Sequence, residues 1–270
     1  MTQSENWKNE ILQMANPEKA KILSGFFKTG KGEYGEGDVF LGLTVPQSRD
    51  IAKKYYNASL DTISEILQSP YHELRASALF ALVIRFKKNK DEFSRREIVD
   101  FYLGHTRYIN NWDLVDLSCS YILGEYLLNQ SHDILLSLSD STCLWEQRIA
   151  IVSTHTFIKN NFFDTTLTLA EKYLSHSYDL IHKATGWMLR EVGKRDIEVL
   201  RTFLNTHVEK MPRTTLRYAI EKFSQEERKS YLSIKKQTNS TTLLFSSLIL
   251  TDHIVFLITE YVSSALIPLA

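Results

Sequence analysis

The chain has few of the residues that break helices or build covalent and metal-bound frameworks. Its 270 residues include 5 prolines, 10 glycines and 2 cysteines. Because proline and glycine interrupt helices, this scarcity favours long helical segments. Cys119 and Cys143 form no CxxC pair, and the 8 histidines show no HxxxH or HExxH spacing. These absences argue against a disulfide framework or a zinc hydrolase, so we expect no metal or cofactor and a cytoplasmic location.

The chain also lacks an excess of either charge and an apolar run near its start. Lysine and arginine together number 32, as do aspartate and glutamate. Bulk charge therefore gives no reason to predict nucleic-acid binding, and only the placement of the charges can do so. The polar residues 1–9 contain no apolar segment of the signal-peptide type.

One stretch near the end of the chain, residues 241–270, is strongly apolar. A membrane span needs about 20 apolar residues with few charges, and Asp252, His253 and Glu260 divide this stretch into shorter pieces. Two alternatives stay open, namely a span, or a tail that packs on the preceding helices or is irregular. We therefore divide the chain into a domain at residues 1–236 and an apolar tail of unknown role at residues 237–270.

Four of the glycines fall in one short loop, at residues 29–38. Glycine-rich loops can cradle phosphate groups, but this loop carries three acidic residues and lacks the GK[ST] element of a phosphate-binding loop. The loop is therefore predicted to be a flexible surface loop.

The rest of the first 236 residues favours helices over strands. The sequence NPE at residues 16–18 predicts a helix start, with asparagine as the cap and proline at the first helical position. Thr44 and Gln47 have the spacing of a capping box. No stretch shows sustained alternation with β-branched residues, so no sheet is predicted. The longer predicted helices include residues 112–128 and 144–159.

Basic residues recur near the starts of long predicted helices. Arg75 and Arg148 are 73 positions apart, and Arg148 and Lys183 are 35 positions apart. The first gap is about twice the second, and a predicted helix start at Asn111 fills the missing position. A period of about 36 residues is typical of helix pairs stacked as a HEAT-like solenoid, whose concave face is lined by the second helix of each pair. Residues of that set are Trp112, Asp116, Arg148, Lys183 and Trp187.

Six short motifs between residues 10 and 230 give the sequence a specific resemblance. They are NPEK at 16–19, FLGLTVP at 40–46, WDLVD at 112–116, LWEQR at 144–148, KATGWMLREVGK at 183–194 and PRTTLR at 212–217. With these motifs the chain resembles the AlkD-like DNA alkylation repair enzymes, a family of HEAT-like-repeat DNA glycosylases. The resemblance implies an all-α, HEAT-like helical-repeat solenoid (an α-α superhelix) with a concave DNA-binding face.

The resemblance also implies which residues do the work. In the family, two tryptophans, an aspartate and an arginine enfold a nucleotide with a cationic alkylated purine, such as 3-methyladenine or 7-methylguanine, and the glycosidic bond is hydrolysed. By the matching motifs, Trp112 and Trp187 correspond to the tryptophans, Asp116 to the aspartate and Arg148 to the arginine. The implied partner is double-stranded DNA with alkylated bases, bound by a monomer, and the base need not be flipped into a tight pocket.

These residue types suit that chemistry. Glycosidic cleavage builds positive charge on the sugar, which the Asp116 carboxylate can stabilise. Indole faces attract cations by about 0.5–2 kcal/mol each, which favours a charged lesion over a normal base. Arg148 can clamp a phosphate with its planar group. The candidates for contacts with the DNA backbone are Arg190 and Arg213 first, then Lys183, Lys194 and Arg217.

The same residues allow other interpretations. A tryptophan on a helix is more often part of the core, as we expect for Trp145, and Asp116 can also cap or pair within the helical stack. The main alternative is therefore a HEAT-repeat module that binds DNA or protein without chemistry. Another is an interaction scaffold anchored through residues 241–270. If Asp116 and both indoles point into the core, binding alone becomes the better interpretation.

Overall fold

The computed structural model describes residues 1–234, so the predicted tail at residues 237–270 lies outside the described residues. The described chain divides into two compact units, residues 1–126 and residues 127–234. Within residues 1–234 the elements are helical, and strand-like pairing is limited to an isolated bridge between Val39 and Tyr71. The all-α fold class is therefore confirmed. Among residues 1–234, each helix falls short of the length or the hydropathy that a membrane span needs.

The first unit is built from seven principal helices. They are α1 (Gln3–Leu12), α2 (Pro17–Phe26), α3 (Val45–Tyr55), α4 (Leu60–Leu67), α5 (His72–Lys88), α6 (Glu92–Gly104) and α7 (Trp112–Asp116). A 3₁₀ turn at Thr106–Tyr108 precedes α7. A π-helical turn at Ser120–Gly124 and the short α8 (Glu125–Leu127) follow it.

Helix α5 is the centre of the first unit. It is buried continuously from His72 to Ile84 and packs against α1, α3, α4 and α6. A helix with no exposed face along most of its length lies in the core. The polar side chains of its first turn, His72, Glu73 and Arg75, are buried as well. Each of them needs a polar partner, because a buried polar group without one is strongly destabilising.

Two of the predicted helix starts are confirmed. Asn16 Oδ1 accepts a hydrogen bond from the backbone N–H of Lys19 at 3.0 Å, and Pro17 is the first residue of α2. At α3, the backbone N–H of Thr44 donates to Gln47 Oε1 at 2.8 Å, as a capping box requires. Such caps satisfy N–H groups that have no partner within the helix, and each stabilises it by about 1 kcal/mol.

The loop before α3 is held by a carboxylate from α5. Glu73 accepts hydrogen bonds from the consecutive backbone N–H groups of Leu41, Gly42 and Leu43, at 2.9, 2.7 and 3.2 Å. Gly42 has φ +88°, and a Cβ there would meet the carbonyl oxygen of Asn16 at 2.1 Å. Glycine is therefore required at this position by both conformation and space.

The second unit is built from eight helices within residues 127–234. They are α9 (Asp133–Ser139), α10 (Leu144–Ser153), α11 (His155–Lys159), α12 (Asp164–Lys172), α13 (Asp179–Arg195), α14 (Ile197–His207), α15 (Arg213–Ala219) and α16 (Gln225–Ser233). A 3₁₀ turn at Tyr173–Ser175 continues α12.

Helix α13 is the centre of the second unit and packs against α10, α14 and α15. Gly186 lies where α13 approaches α15. A Cβ at this position would meet Tyr218 Cβ at 2.5 Å and the carbonyl oxygen of Thr215 at 2.6 Å. The missing side chain therefore lets the two backbones come close. Around this contact the core contains Leu189, Leu200, Phe203, Leu204, Leu216 and Ile220.

Two long helices predicted from the sequence are interrupted in the structure. The prediction of one helix over residues 112–128 is wrong, because α7 ends at Asp116 and a π-helical turn follows. The Ser118 hydroxyl donates to the carbonyl of Leu114 at 2.6 Å. The prediction of one helix over residues 144–159 is wrong too, because α10 ends at Ser153 and α11 begins at His155. Between them, the Thr154 hydroxyl donates to the carbonyl of Ile151 at 2.7 Å. A hydroxyl bonded to a helix carbonyl competes with the backbone and bends the helix.

We expect Gly186→Ala to lower the free energy of unfolding by about 2 kcal/mol, because the added methyl group forces α13 and α15 apart. The control is Gly25→Ala in α2, where a Cβ meets nothing within 4 Å. That change should be neutral or stabilising by up to about 1 kcal/mol, since alanine is the better helix former. Urea unfolding of both variants measures the difference, and equal values would contradict the close approach of α13 and α15.

Candidate functional site

Helix α7 begins at a buried asparagine that reaches into the glycine-rich loop. Asn111 Oδ1 accepts a hydrogen bond from the backbone N–H of Trp112 at 2.8 Å, and its Nδ2 donates to Asp38 Oδ2 at 3.2 Å. A Cβ on Gly35 would meet the carbonyl oxygen of Phe27 at 2.4 Å. The loop at residues 29–38 thus differs from the prediction at its end, because Asp38 is buried against the start of α7.

The ring of Trp112 lies at one end of an aromatic stack. It is 5.2 Å from the ring of Phe27 at an interplanar angle of 19°, and 6.0 Å from Phe26 in an edge-on arrangement. Phe27 stacks on Phe40 at 4.8 Å, and Phe40 stacks on His72 at 4.4 Å. Trp112 is 8% exposed, so only a small part of the indole reaches solvent. Contacts of this geometry fix the plane of the ring.

Asp116 lies one turn after Trp112 and shares its face of α7. It is 7% exposed. The fully buried Tyr102 is near, and burial raises the pKa of Tyr102 well above its usual value, with smaller contributions from Cys119 and Asp116. The Tyr102 and Ser118 hydroxyl oxygens are 2.9 Å apart. The Asp116 carboxyl group therefore sits where the local dielectric is low, and electrostatic interactions there are stronger than in water.

A buried chain of charged side chains connects α5, α7 and the glycine-rich loop. His72 Nδ1 lies 2.8 Å from Asp38 Oδ2, and His72 Nε2 lies 2.8 Å from Asp113 Oδ2. Arg75 donates to the other oxygen of Asp38 at 2.5 Å. With His72 protonated, the four side chains carry two positive and two negative charges. Buried charges are tolerated when they are paired and hydrogen-bonded in this way.

The two carboxylates keep His72 protonated. Burial lowers the pKa of an imidazole, but the charges of Asp113 and Asp38 and their hydrogen bonds outweigh burial and raise the pKa of His72 to about 9. Burial would raise the pKa of Asp38, yet His72 and Arg75 lower it to about 2. Because both nitrogens of a protonated imidazole are donors, His72 donates to both carboxylates at once.

Trp187 lies in α13, directly after Gly186, and its ring is half-buried. The ring of His155 is 5.7 Å away at an interplanar angle of 44°. Burial, helped by the positive charge of Lys159, lowers the pKa of His155 to about 4. At neutral pH the imidazole beside Trp187 is therefore uncharged.

Arg148 is 5% exposed on α10. Its Nη1 donates to the carbonyl oxygen of Leu180, in the first turn of α13, at 2.7 Å. This bond joins α10 to α13 and fixes the orientation of the planar guanidinium group. The two predicted residues of the second unit, Arg148 and Trp187, are thus carried by helices that pack on each other.

Two of the predicted DNA-backbone residues, Lys194 and Arg190, pair with the acidic side chain of Glu191 in α13. Lys194 lies 2.8 Å from Glu191, and Arg190 lies 3.5 Å from the same carboxylate. Arg190 also forms an ion pair with Glu221, just after α15. A phosphate that binds Arg190 or Lys194 would compete with these partners.

The other three predicted DNA-backbone residues differ in their exposure. Lys183 pairs with Asp179 at 2.8 Å. Arg213 is partly buried and donates to the carbonyl oxygen of Leu232 at 2.8 Å. Arg217 is exposed on α15, so its charge is accessible to a phosphate.

The structure brings Trp112 and Asp116 together on α7 in the first unit, whereas Arg148 and Trp187 belong to the second. Sequence patterns did not reveal the chain through Asp38, His72 and Asp113. Its bonds join residues 34 and 41 positions apart, a separation that no local motif records. The one available signal was the set of charged residues, His72 among them, at the start of an otherwise apolar helix. No group of three or more His, Cys, Asp or Glu side chains among residues 1–234 has an arrangement that could hold a metal ion.

A model of the DNA alkylation repair enzyme family matches residues 7–223. The chain therefore belongs to the DNA alkylation repair enzyme family, which gives it a role in DNA repair with DNA as the substrate. It is similar to a solved structure described as "Predicted DNA alkylation repair enzyme from Enterococcus faecalis", with a TM-score of 0.62 and 16% identity, over 78% of this chain and 97% of that chain. At that identity the similarity concerns the fold alone. No curated protein matches the chain.

We expect the free energy of unfolding to decline as the pH rises from about 6.5 through about 9. The folded-state pKa of His72, about 9, lies above the ordinary value of 6.5. Its contribution to stability is thus fully present below the lower value and is lost as the pH passes the higher one. Urea unfolding at a series of pH values measures the decline.

The control for this pH dependence is His132→Asn. His132 contacts Thr165 and the carbonyl oxygen of Leu127 rather than two carboxylates, so the decline should persist in this variant. A wild-type curve that is flat across the same window would contradict the protonated bridge between Asp38 and Asp113.

Proposed function

We propose that this chain is a DNA glycosylase that hydrolyses the N-glycosidic bond of positively charged alkylated purines, such as 3-methyladenine and 7-methylguanine, in double-stranded DNA. The observation that carries the proposal is the placement of Trp112 and Asp116 on one face of α7 in a member of the DNA alkylation repair family. We further propose that the protein works as a monomer in the cytoplasm.

The role proposed for Asp116 is electrostatic. When the bond between the sugar C1′ and the purine nitrogen breaks, both electrons leave with the base, and a water oxygen then bonds to C1′ and loses a proton. An alkylated cationic purine departs as a neutral molecule, so the reaction needs no acid to protonate the base. The charge that must be stabilised is on the sugar, and a nearly buried carboxylate does this better than one in water.

The role proposed for Trp112 is recognition of the cationic base or sugar. A cation near an indole face gains about 0.5–2 kcal/mol, more when both are removed from water. The stack of Trp112 on Phe27 supports this role, because a ring held in one plane loses little freedom when a ligand arrives. The selectivity that follows is for charge rather than for one alkyl group.

In the second unit we assign Arg148 a phosphate contact and Trp187 a second cation-binding indole. The bond between Arg148 and the carbonyl of Leu180 supports the first assignment, because it leaves the guanidinium in a defined orientation. The contact between the rings of His155 and Trp187, 5.7 Å apart, supports the second, because it restricts the orientation of the Trp187 indole. Arg190, Arg213, Lys183, Lys194 and Arg217 are assigned to the DNA backbone.

A binding module without chemistry remains the second candidate, and one observation favours it. Trp112 and Asp116 are only 8% and 7% exposed, which is the burial expected of residues that support a helix core. A glycosylase would have to bring the lesion against this small exposed surface, whereas a module that only binds DNA would not. The two candidates differ in base release, which a direct assay detects.

We expect the wild-type protein to release 3-methyladenine or 7-methylguanine from methylated DNA in the presence of EDTA. Asp116→Asn should slow release by about a hundredfold, because it removes the stabilising charge and keeps the shape. Single-turnover release followed by chromatography measures the rate. The matched control is Asp100→Asn, since Asp100 is exposed and pairs with Arg96 on α6.

Tight binding of methylated DNA without any base release by the wild-type protein would favour the binding module and reject the glycosylase. Equal release by wild type, Asp116→Asn and Asp100→Asn would reject the role of Asp116 alone.

We expect Arg217→Ala to weaken binding of all DNA sequences similarly and to reduce the slope of log Kd against log salt by about 1, as loss of one phosphate contact does. Fluorescence anisotropy with a labelled duplex at several salt concentrations measures this slope. Arg96→Ala removes an exposed arginine on α6 and is the control. An unchanged slope in Arg217→Ala would remove that residue from the proposed backbone contacts.

A further inference from the structure

Helix α7 is too short to hold itself in place. It has five residues, Trp112–Asp116, and is followed by the break at Ser118. A helix of this length is not stable alone, because it contains few complete hydrogen-bonded turns. The positions of Trp112 and Asp116 therefore depend on the side-chain contacts that α7 makes with the rest of the first unit.

Two of those contacts lead to the same side chain, His72 of α5. The first is the hydrogen bond of 2.8 Å between His72 Nε2 and Asp113 Oδ2. The other oxygen of Asp113, Oδ1, is buried and has no hydrogen-bond partner within residues 1–234. Within this part of the chain, His72 is thus what keeps the buried Asp113 carboxylate bonded and charge-balanced.

The second contact runs through the aromatic stack. The imidazole of His72 lies 4.4 Å from the ring of Phe40 and 5.1 Å from that of Phe27. Phe27 in turn is stacked on Trp112 at 5.2 Å. A cation against aromatic faces adds to the packing of the rings. One face of Trp112 therefore packs on Phe27, and His72 contacts Phe27 from within the same ring cluster.

We propose that His72 is a positioning residue that sets the ring plane of Trp112 and the place of Asp116. What Trp112 and Asp116 then do rests on the proposed glycosylase function, whereas their placement by His72 does not. His72 itself is buried, so it presents almost no surface to a ligand.

The charged groups around His72 give the arrangement a dependence on its proton. Asp113 faces His72 from α7, and Asp38 faces it from the loop. Arg75, one turn further along α5, donates to the same Asp38 carboxylate. A neutral imidazole has one donor and one acceptor nitrogen. Loss of the proton would place the lone pair of one imidazole nitrogen against the oxygen of Asp38 or Asp113. The contact of His72 with the loop or with α7 would then weaken.

The test observes the tryptophans directly by fluorine NMR of fluorotryptophan-labelled protein. The four tryptophans are Trp7, Trp112, Trp145 and Trp187, and single Trp→Phe variants assign their signals. In His72→Asn we expect the Trp112 signal to shift and broaden while the Trp7 signal stays, although both belong to the first unit. In the wild type, the Trp112 signal should titrate with a midpoint of about 9, and this titration should vanish in His72→Asn.

The matched control is His132→Asn. The His132 ring stacks on Phe157 at 4.2 Å, and both of its nitrogens are hydrogen-bonded. It therefore resembles His72 in its contacts but lies in the second unit. The control should leave the Trp112 signal and its titration unchanged.

Base release supplies a second readout. In His72→Asn, we expect the single-turnover rate to fall by about ten- to a hundredfold, as misplacement of groups by about 1 Å does. The Kd for methylated DNA should change by less than about threefold, because backbone contacts dominate affinity. A general loss of structure would instead weaken binding and rate together.

If His72→Asn does not fold, Asp113→Asn replaces it, because an amide has nearly the shape of the carboxylate but lacks the charge that pairs with protonated His72. The same shift of the Trp112 signal is expected, and the wild-type titration needs no variant. A Trp112 signal that is unaffected in the folded variants, and constant through the pH window in the wild type, would overturn the proposal. If the wild type releases no base, the proposed function fails, and the Trp112 signal still decides the positioning role.

Discussion

The buried bond chain from Asp38 through His72 to Asp113 is the constraint on which the first unit depends. It joins the end of the glycine-rich loop, the first turn of the central helix α5 and the start of α7. Removing one member would leave a charge buried without its partner, which is far more destabilising than losing a surface ion pair. This network of hydrogen bonds therefore determines where α7 lies, and with it the positions of Trp112 and Asp116.

The same arrangement links stability to the chemistry we propose. Asp116 is useful as a charge only where water is scarce, and a nearly buried site provides this condition. Such a site must be rigid, yet α7 is a five-residue helix that ends at a hydroxyl-bonded break. The stack of Phe27 on Trp112 and the bond of His72 to Asp113 hold this short helix in place. In the second unit, the bond of Arg148 to the carbonyl of Leu180 and the close approach of α13 to α15 at Gly186 likewise fix the helices that carry Arg148 and Trp187.

The fold was predictable wherever a local rule decides the structure. The caps at Asn16 and Thr44 depend on residues three positions away, and both are present. The continuous helices predicted over residues 112–128 and 144–159 were wrong, because Ser118 and Thr154 turn their hydroxyls onto helix carbonyls. The sequence contains other serines and threonines inside helices, and only packing decides which of them bond in this way.

The amino-acid sequence by itself determined the helical class, the motifs of the DNA alkylation repair family and the placement of Trp112 and Asp116 on one helix face. These features depend on composition or on spacings of a few residues, which helix geometry converts directly into a shared face. The tertiary structure alone decided that Asp38 meets His72, that Phe27 supports Trp112, and how little of Trp112 and Asp116 is exposed. Those contacts join residues tens of positions apart, and such pairs meet only when the core packs around them.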